Sequence, residues 1–92
     1  MLSDTSRITV SKDQVSCDLQ GEAAILHLKS GVYYGLDPVG ARIWTLVQQP
    51  KTFSELRSTL LGEYDVEAAR LEADLRDLLN KLAEQGLVEI SE

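Results

Sequence analysis

The chain has 92 residues, 43% of them hydrophobic, enough for one compact core and too few for two. Its formal charge of −6, with nine cations scattered from Arg7 to Lys81 rather than clustered, argues against phosphate backbones and anionic lipid as partners. No apolar run approaches the roughly 18 residues of a membrane span, and the Met1-Leu2-Ser3-Asp4 start lacks the regions of a signal peptide, so a cytoplasmic location is expected.

In chain order, the first third reads as strands, because apolar and polar residues alternate between breaks. Residues 1–6 are polar and expected to fray. Ile8 and Val10 mark a short opening segment, and Val15, Cys17 and Leu19 mark the next, before a Gln20-Gly21-Glu22 turn. A better strand follows, with Ala24, Leu26 and Leu28 on one face and Ala23, Ile25 and His27 on the other. Lys29-Ser30-Gly31 signals a tight hairpin. Beyond it Val32, Tyr34 and Leu36 fall on one side, and Gly31, Tyr33 and Gly35 on the other.

Helical signals begin at Asp37-Pro38: the carboxylate can cap free N–H groups, and proline at the first helical position sacrifices no hydrogen bond. This helix is expected to run to about Gln48, with Val39, Ile43, Leu46 and Val47 on its buried stripe and Trp44 at the border; Pro50 stops it. Thr52-Phe53-Ser54-Glu55 has capping-box spacing and opens a second helix to about Leu61, which buries Phe53, Leu56 and Leu60 and ends at Gly62. A third starts after Asp65 and runs to about Glu84, with Leu71, Leu75, Leu78, Leu79 and Leu82 within an arc of roughly 100°. Gly86 supplies its C-terminal cap. Leu87-Val88-Glu89-Ile90 can form a last strand or simply pack beneath the helices.

The fold class expected is α+β, winged helix-turn-helix-like, with an N-terminal three-stranded antiparallel sheet followed by three α-helices in a single domain. A catalytic constellation is missing. Cys17 and His27 are single residues of their kind, and the sequence contains no CxxC, HExxH or phosphate loop, so neither enzyme activity, a metal site nor a cofactor is expected. Cys17 is read as a small tolerated residue and His27 as a strand surface residue. The helix-turn-helix layout admits a DNA-binding regulatory module as an alternative. Its recognition helix, however, would carry Glu67, Glu72, Asp74, Asp77 and Glu84 against Arg70, Arg76 and Lys81, the wrong sign for a phosphate backbone. A self-associating interaction module is the other alternative. The strand Val32 to Leu36 ends the meander and contains neither lysine nor proline, the usual defences of a free edge, and so invites an added strand. The acidic outer face of the third helix, including Glu72 and Asp77, is a candidate docking surface.

The stretch Gly31-Val32-Tyr33-Tyr34-Gly35-Leu36-Asp37-Pro38-Val39-Gly40-Ala41-Arg42-Ile43-Trp44 resembles the signature of the PqqD-like family. So do Thr52-x-x-Glu55-Leu56, Tyr64-Asp65-Val66 and Leu82-x-x-x-Gly86-Leu87-Val88, and the likeness spans roughly residues 15 to 90. Members of that family are recognition elements for the leaders of ribosomally made, post-translationally modified peptides. The Arg7 to Ser11 segment and the Val-Tyr-Tyr strand point to the stand-alone recognition proteins of lasso-peptide biosynthesis rather than to the quinone-cofactor pathway. The resemblance implies a monomer that binds the leader of a precursor peptide as an added antiparallel strand. A separate transglutaminase-like leader peptidase, and possibly a cyclase, would be its partners. Carried over by position, Val32, Tyr33, Tyr34 and Gly35 would line the strand side of the site, and Leu71, Asp74, Leu75 and Leu78 the helix side.

Overall fold

The computed structural model describes residues 2–92 and contains six strands and three helices. Strands β2 (Gln14–Leu19), β3 (Glu22–His27) and β4 (Tyr33–Leu36) form the expected antiparallel meander in the order β2-β3-β4. Its inner face carries Ala23 and Ile25, both buried, and packs on the helices. Burying Ile25 alone contributes about 1.5–3 kcal/mol. The hairpin between β3 and β4 is wider than the three-residue turn expected: Leu28 to Val32 form the connection, closed by His27 N–H donating to the Val32 carbonyl at 3.0 Å.

A second sheet, which local periodicity does not disclose, joins the two ends of the chain. Strand β1 (Arg7–Val10) lies between β5 (Lys51–Thr52) and β6 (Val88–Ser91), antiparallel to both. The closing segment is thus a strand, and Ile8 pairs with Ile90. The residues preceding β1, expected to fray, are instead docked. Leu2 and Ser6 are buried, the Leu2 carbonyl accepts from Arg76 at 2.6 Å, and Phe53 N–H donates to the Ser6 carbonyl at 2.9 Å. Asp4 meets the Arg57 guanidinium at 2.9 Å, and that hydrogen bond holds its carboxyl below the usual carboxylate range. Met1 lies outside the described residues.

Helix α1 (Pro38–Leu46) begins as expected, with Gly40 N–H donating to the Asp37 carboxylate at 2.8 Å. Gly40 also sits against Leu36, so that any side chain there would be crowded at 3.3 Å from the Leu36 Cβ. The helix ends at Leu46, short of Gln48. Trp44 is buried rather than at the border, because its indole N–H finds the Ser16 hydroxyl at 3.0 Å and can enter the core satisfied. Val39, assigned to the buried stripe, is 42% exposed.

Helix α2 (Phe53–Glu63) has the capping box, with bonds of 3.1 and 2.9 Å between Thr52 and Glu55. It passes through Gly62, which φ does not force to end a helix, and stops at Tyr64. Arg42 grips Glu63 with two bonds, at 2.8 and 2.6 Å, tying α1 to α2 and holding the Glu63 carboxyl below its ordinary range.

Helix α3 (Ala68–Glu84) buries Leu71, Leu75, Leu79 and Leu82. It ends in a Schellman turn: Leu87 N–H reaches the Leu82 carbonyl at 2.9 Å and Gly86 N–H the Ala83 carbonyl at 3.0 Å, with Gly86 at φ +75°. Glu72 does not project as a free outer acid. It pairs with Arg57 at 2.7 Å and so stays inside the network that fastens the N-terminal segment.

Candidate functional site: a free strand edge beside an apolar groove

Hydrogen-bond parity determines which groups of β4 look outward. His27 N–H meets the Val32 carbonyl, and Ile25 and Ala23 oppose Tyr34 and Leu36. Alternation in an antiparallel pair then turns the main-chain groups of Val32, Tyr34 and Leu36 toward β3, and those of Tyr33 and Gly35 toward the outer edge. Among the described residues β4 pairs with β3 alone, so this outer edge has no strand partner.

The strand is only four residues long, yet it runs directly into α1, and this junction builds one wall of a groove. Leu36, Val39, Gly40 and Ile43 lie on that side; Leu71, Asp74, Leu75 and Leu78 of α3 lie on the other. The groove has a volume of about 540 Å³, and Tyr64 and Val66 also line it. Its floor is apolar because the 3.6-residue period brings Leu71, Leu75 and Leu78 to the same side of α3. Leu75 is buried, while Leu78 remains half-buried and open to an occupant. Charge is confined to the rim, at Asp37, Arg70 and Asp74. What the cleft offers is a row of main-chain donors and acceptors without a strand partner among the described residues, beside pockets for apolar side chains.

The residues expected to form the site are distributed unevenly around it. Gly35, Leu71, Asp74, Leu75 and Leu78 all line the groove. Tyr33 is 72% exposed and faces away from the helices, and Val32 lies in the connection just before β4. Tyr34 turns inward against the core, and its hydroxyl donates to the Gln85 side chain at 2.7 Å. Sequence reasoning missed Val39, Ile43, Tyr64, Val66 and Arg70 as lining residues, and counted Leu36 toward the core. Two of them carried a signal: Val39 and Val66 are apolar residues in or before the first turn of a helix that the core does not use, at 42% and 45% exposure.

Cys17 and His27 cannot act on one another. The pairing register puts Cys17, opposite Ala24, on the outer face of the sheet and His27, opposite Gln14, on the inner face. His27 is half-buried rather than a plain surface residue, and its Nδ1 accepts the Ser30 N–H at 3.3 Å.

A family model described as coenzyme PQQ synthesis protein D (PqqD) matches residues 22–88, from the start of β3 to the start of β6. The chain belongs to the PqqD family. Among solved structures similar to this chain, TbiB1 in complex with the TbiA(beta) leader peptide is 41% identical, with a TM-score of 0.83 over 88% of this chain and 94% of that one. A lasso peptide synthetase B1 complexed with the leader peptide is 22% identical, with a TM-score of 0.79 over 89% of this chain and 96% of that one, and shows the same fold. No curated protein matches the sequence. The structural likeness covers 88% of this chain, a longer share than residues 22–88 matched by the family model, so the winged helix-like α+β fold is shared over most of its length.

Proposed function

We propose that this PqqD-family protein is a peptide-recognition element of lasso-peptide biosynthesis. It captures the leader of a ribosomally made precursor as a strand antiparallel to β4 and delivers the precursor to a separate leader peptidase in the cytoplasm. The observation that carries the reading is the unpaired outer edge of β4 lying directly beside the apolar groove of α3. Main-chain bonds from Tyr33 and Gly35 give affinity without regard to side chain, and alternate leader side chains entering the groove give selectivity. The relative that is 41% identical is itself a leader-peptide complex, which supports the assignment.

The protein performs no bond chemistry in this scheme. Cys17 is exposed, and the sheet separates it from the only imidazole. No helix among the described residues is long and apolar enough to cross a membrane. Two or three apolar leader side chains would contribute about 1.5–3 kcal/mol each on burial, opposed by the cost of ordering a disordered segment. The net is a dissociation constant of about a micromolar, or roughly −8 kcal/mol, weak enough to release cargo.

Calorimetric titration with the cognate leader tests this. Binding should saturate with one peptide per chain and weaken about tenfold in Leu78→Asp, a change at a half-buried groove position. Undiminished affinity in a folded Leu78→Asp protein would remove the groove from the account.

A further inference from the structure

Helix α3 is a wall of the groove, and it is also held from behind. Arg70, Leu71, Asp74, Leu75 and Leu78 line the groove, whereas the 3.6-residue period turns Glu72 and Arg76 roughly 150° away from them. On that far side Arg76 has three contacts. It donates to the Leu2 carbonyl at 2.6 Å, its guanidinium lies 4.6 Å from the centre of the Phe53 ring on α2, and Glu72 is 3.9 Å away. Arg57 of α2 completes the arrangement, binding Glu72 at 2.7 Å and Asp4 at 2.9 Å. Residues 2–6 thereby form a strap across α2 and α3. Leu2 and Ser6 are buried, and the Ser6 hydroxyl donates to Glu92 at 2.9 Å. Phe53 and Ser54 N–H donate to the Ser6 and Asp4 carbonyls at 2.9 and 3.1 Å.

We infer that this strap sets the position of α3 relative to β4, and that Arg76 is a positioning residue for leader binding. The inference rests on the leader-binding reading above and adds what fixes the width of that site. Neither the strap nor Arg57, Glu72 or Arg76 lines the groove, so any effect on the peptide travels through α3. Toward β4, α3 is tied by the Tyr34 hydroxyl, which donates to Gln85 at 2.7 Å just past the end of the helix. The strap acts about two and a half turns earlier, level with Leu75, where the groove is built. Together the two ties fix both the tilt and the rotation of the wall. Partly exposed ion pairs such as Arg76 with Glu72 add little stability, but a guanidinium with five donors in a rigid fork dictates where its partners sit. That chemistry suits placement better than stabilisation. By linkage, a docked strap and a bound leader favour each other by the same factor.

The test uses the full chain and its cognate leader peptide. Arg76→Met keeps an unbranched side chain over Phe53 and removes the donors, and should weaken leader binding about fivefold by calorimetry. Arg76→Lys, which restores a donor for the Leu2 carbonyl, should bind within about twofold of wild type. Trp44→Phe, on the β2 side of the molecule, controls for lost stability: it should lower the melting temperature without changing leader affinity. The reciprocal measurement needs no variant. Saturating leader should slow amide exchange at Phe53 and Ser54 about fivefold, although neither touches the groove, and should leave Ser11, bonded to the Leu87 carbonyl outside the strap, unchanged. Wild-type affinity in a folded Arg76→Met protein would overturn the inference while leaving the peptide site standing. So would exchange at Phe53 and Ser54 that ignores the leader, which also decides the matter should Arg76→Met not fold. Failure of the wild type to bind leader in the calorimeter would overturn both readings.

Discussion

The meander has two outer edges, and they are not equivalent. On β2 the parity of pairing turns the main-chain groups of Gln14, Ser16 and Asp18 outward, as it turns those of Tyr33 and Gly35 outward on β4. Beside β2, however, α1 is drawn close by the Trp44 bond to Ser16, leaving a hollow of about 280 Å³ with Ser16, Asp18, Thr45 and Gln48 among its walls. Beside β4, α3 stands away across a groove nearly twice that volume, lined by leucine and valine. Main-chain groups are the same on every edge, so under the proposed function the neighbouring helix, rather than the open edge by itself, would select a peptide.

Proline substitution offers the sharpest way to break this comparison. Gly35→Pro removes an outward donor and puts a ring where an incoming strand must lie, and should weaken leader binding by roughly 2 kcal/mol, about thirtyfold. Asp18→Pro makes the same change on the other edge and should leave affinity within about twofold. Calorimetry on both proteins, with circular dichroism to verify folding, checks the pair; equal losses would erase the distinction between the edges.

Smaller effects sharpen it. Val39→Ser trims the groove wall at an exposed position and should cost about 1 kcal/mol of leader affinity, roughly fivefold in the same titration, with little change in stability. Trp44→Phe acts on the β2 side: loss of the bond to Ser16 should lower unfolding free energy by about 1 kcal/mol in urea titrations without altering leader affinity.

The smallest effect is electrostatic and lies outside both edges. Asp4, Glu55 and Glu63 have folded-state pKa values below their unfolded ones, Asp4 and Glu63 through arginine and Glu55 through the Thr52 cap. Their contribution is therefore complete above the unfolded carboxylate pKa near 4 and is lost as pH falls through the lower folded values. Thermal melts should show stability declining below about pH 4, and Asp4→Asn/Glu63→Gln should flatten that decline.

The sequence showed the groove-bearing half of the molecule well, because its cues are local. Asp37-Pro38, the Thr52–Glu55 box and Gly86 each announce a helix boundary through hydrogen bonds within a few residues, and the leucine period of α3 gives its buried side. Pairing between distant segments has no such signature. Nothing in Arg7–Val10 declares that it will lie against Val88–Ser91, nor that Leu2 will be held by Arg76. The groove was half legible for the same reason. Its α3 wall follows from periodicity, whereas Val39, Ile43 and Val66 enter it only through the angle at which α1 meets α3, which no single helix encodes.

Amide hydrogen exchange, read residue by residue with and without the cognate leader peptide, tests the central claim most directly. In the free protein Tyr33 and Gly35 should exchange fast, and saturating leader should slow both at least about tenfold while Gln14, Ser16 and Asp18 stay unchanged. Unaltered exchange at Tyr33 and Gly35 under saturating peptide, or protection appearing on β2 instead, would contradict strand addition at β4.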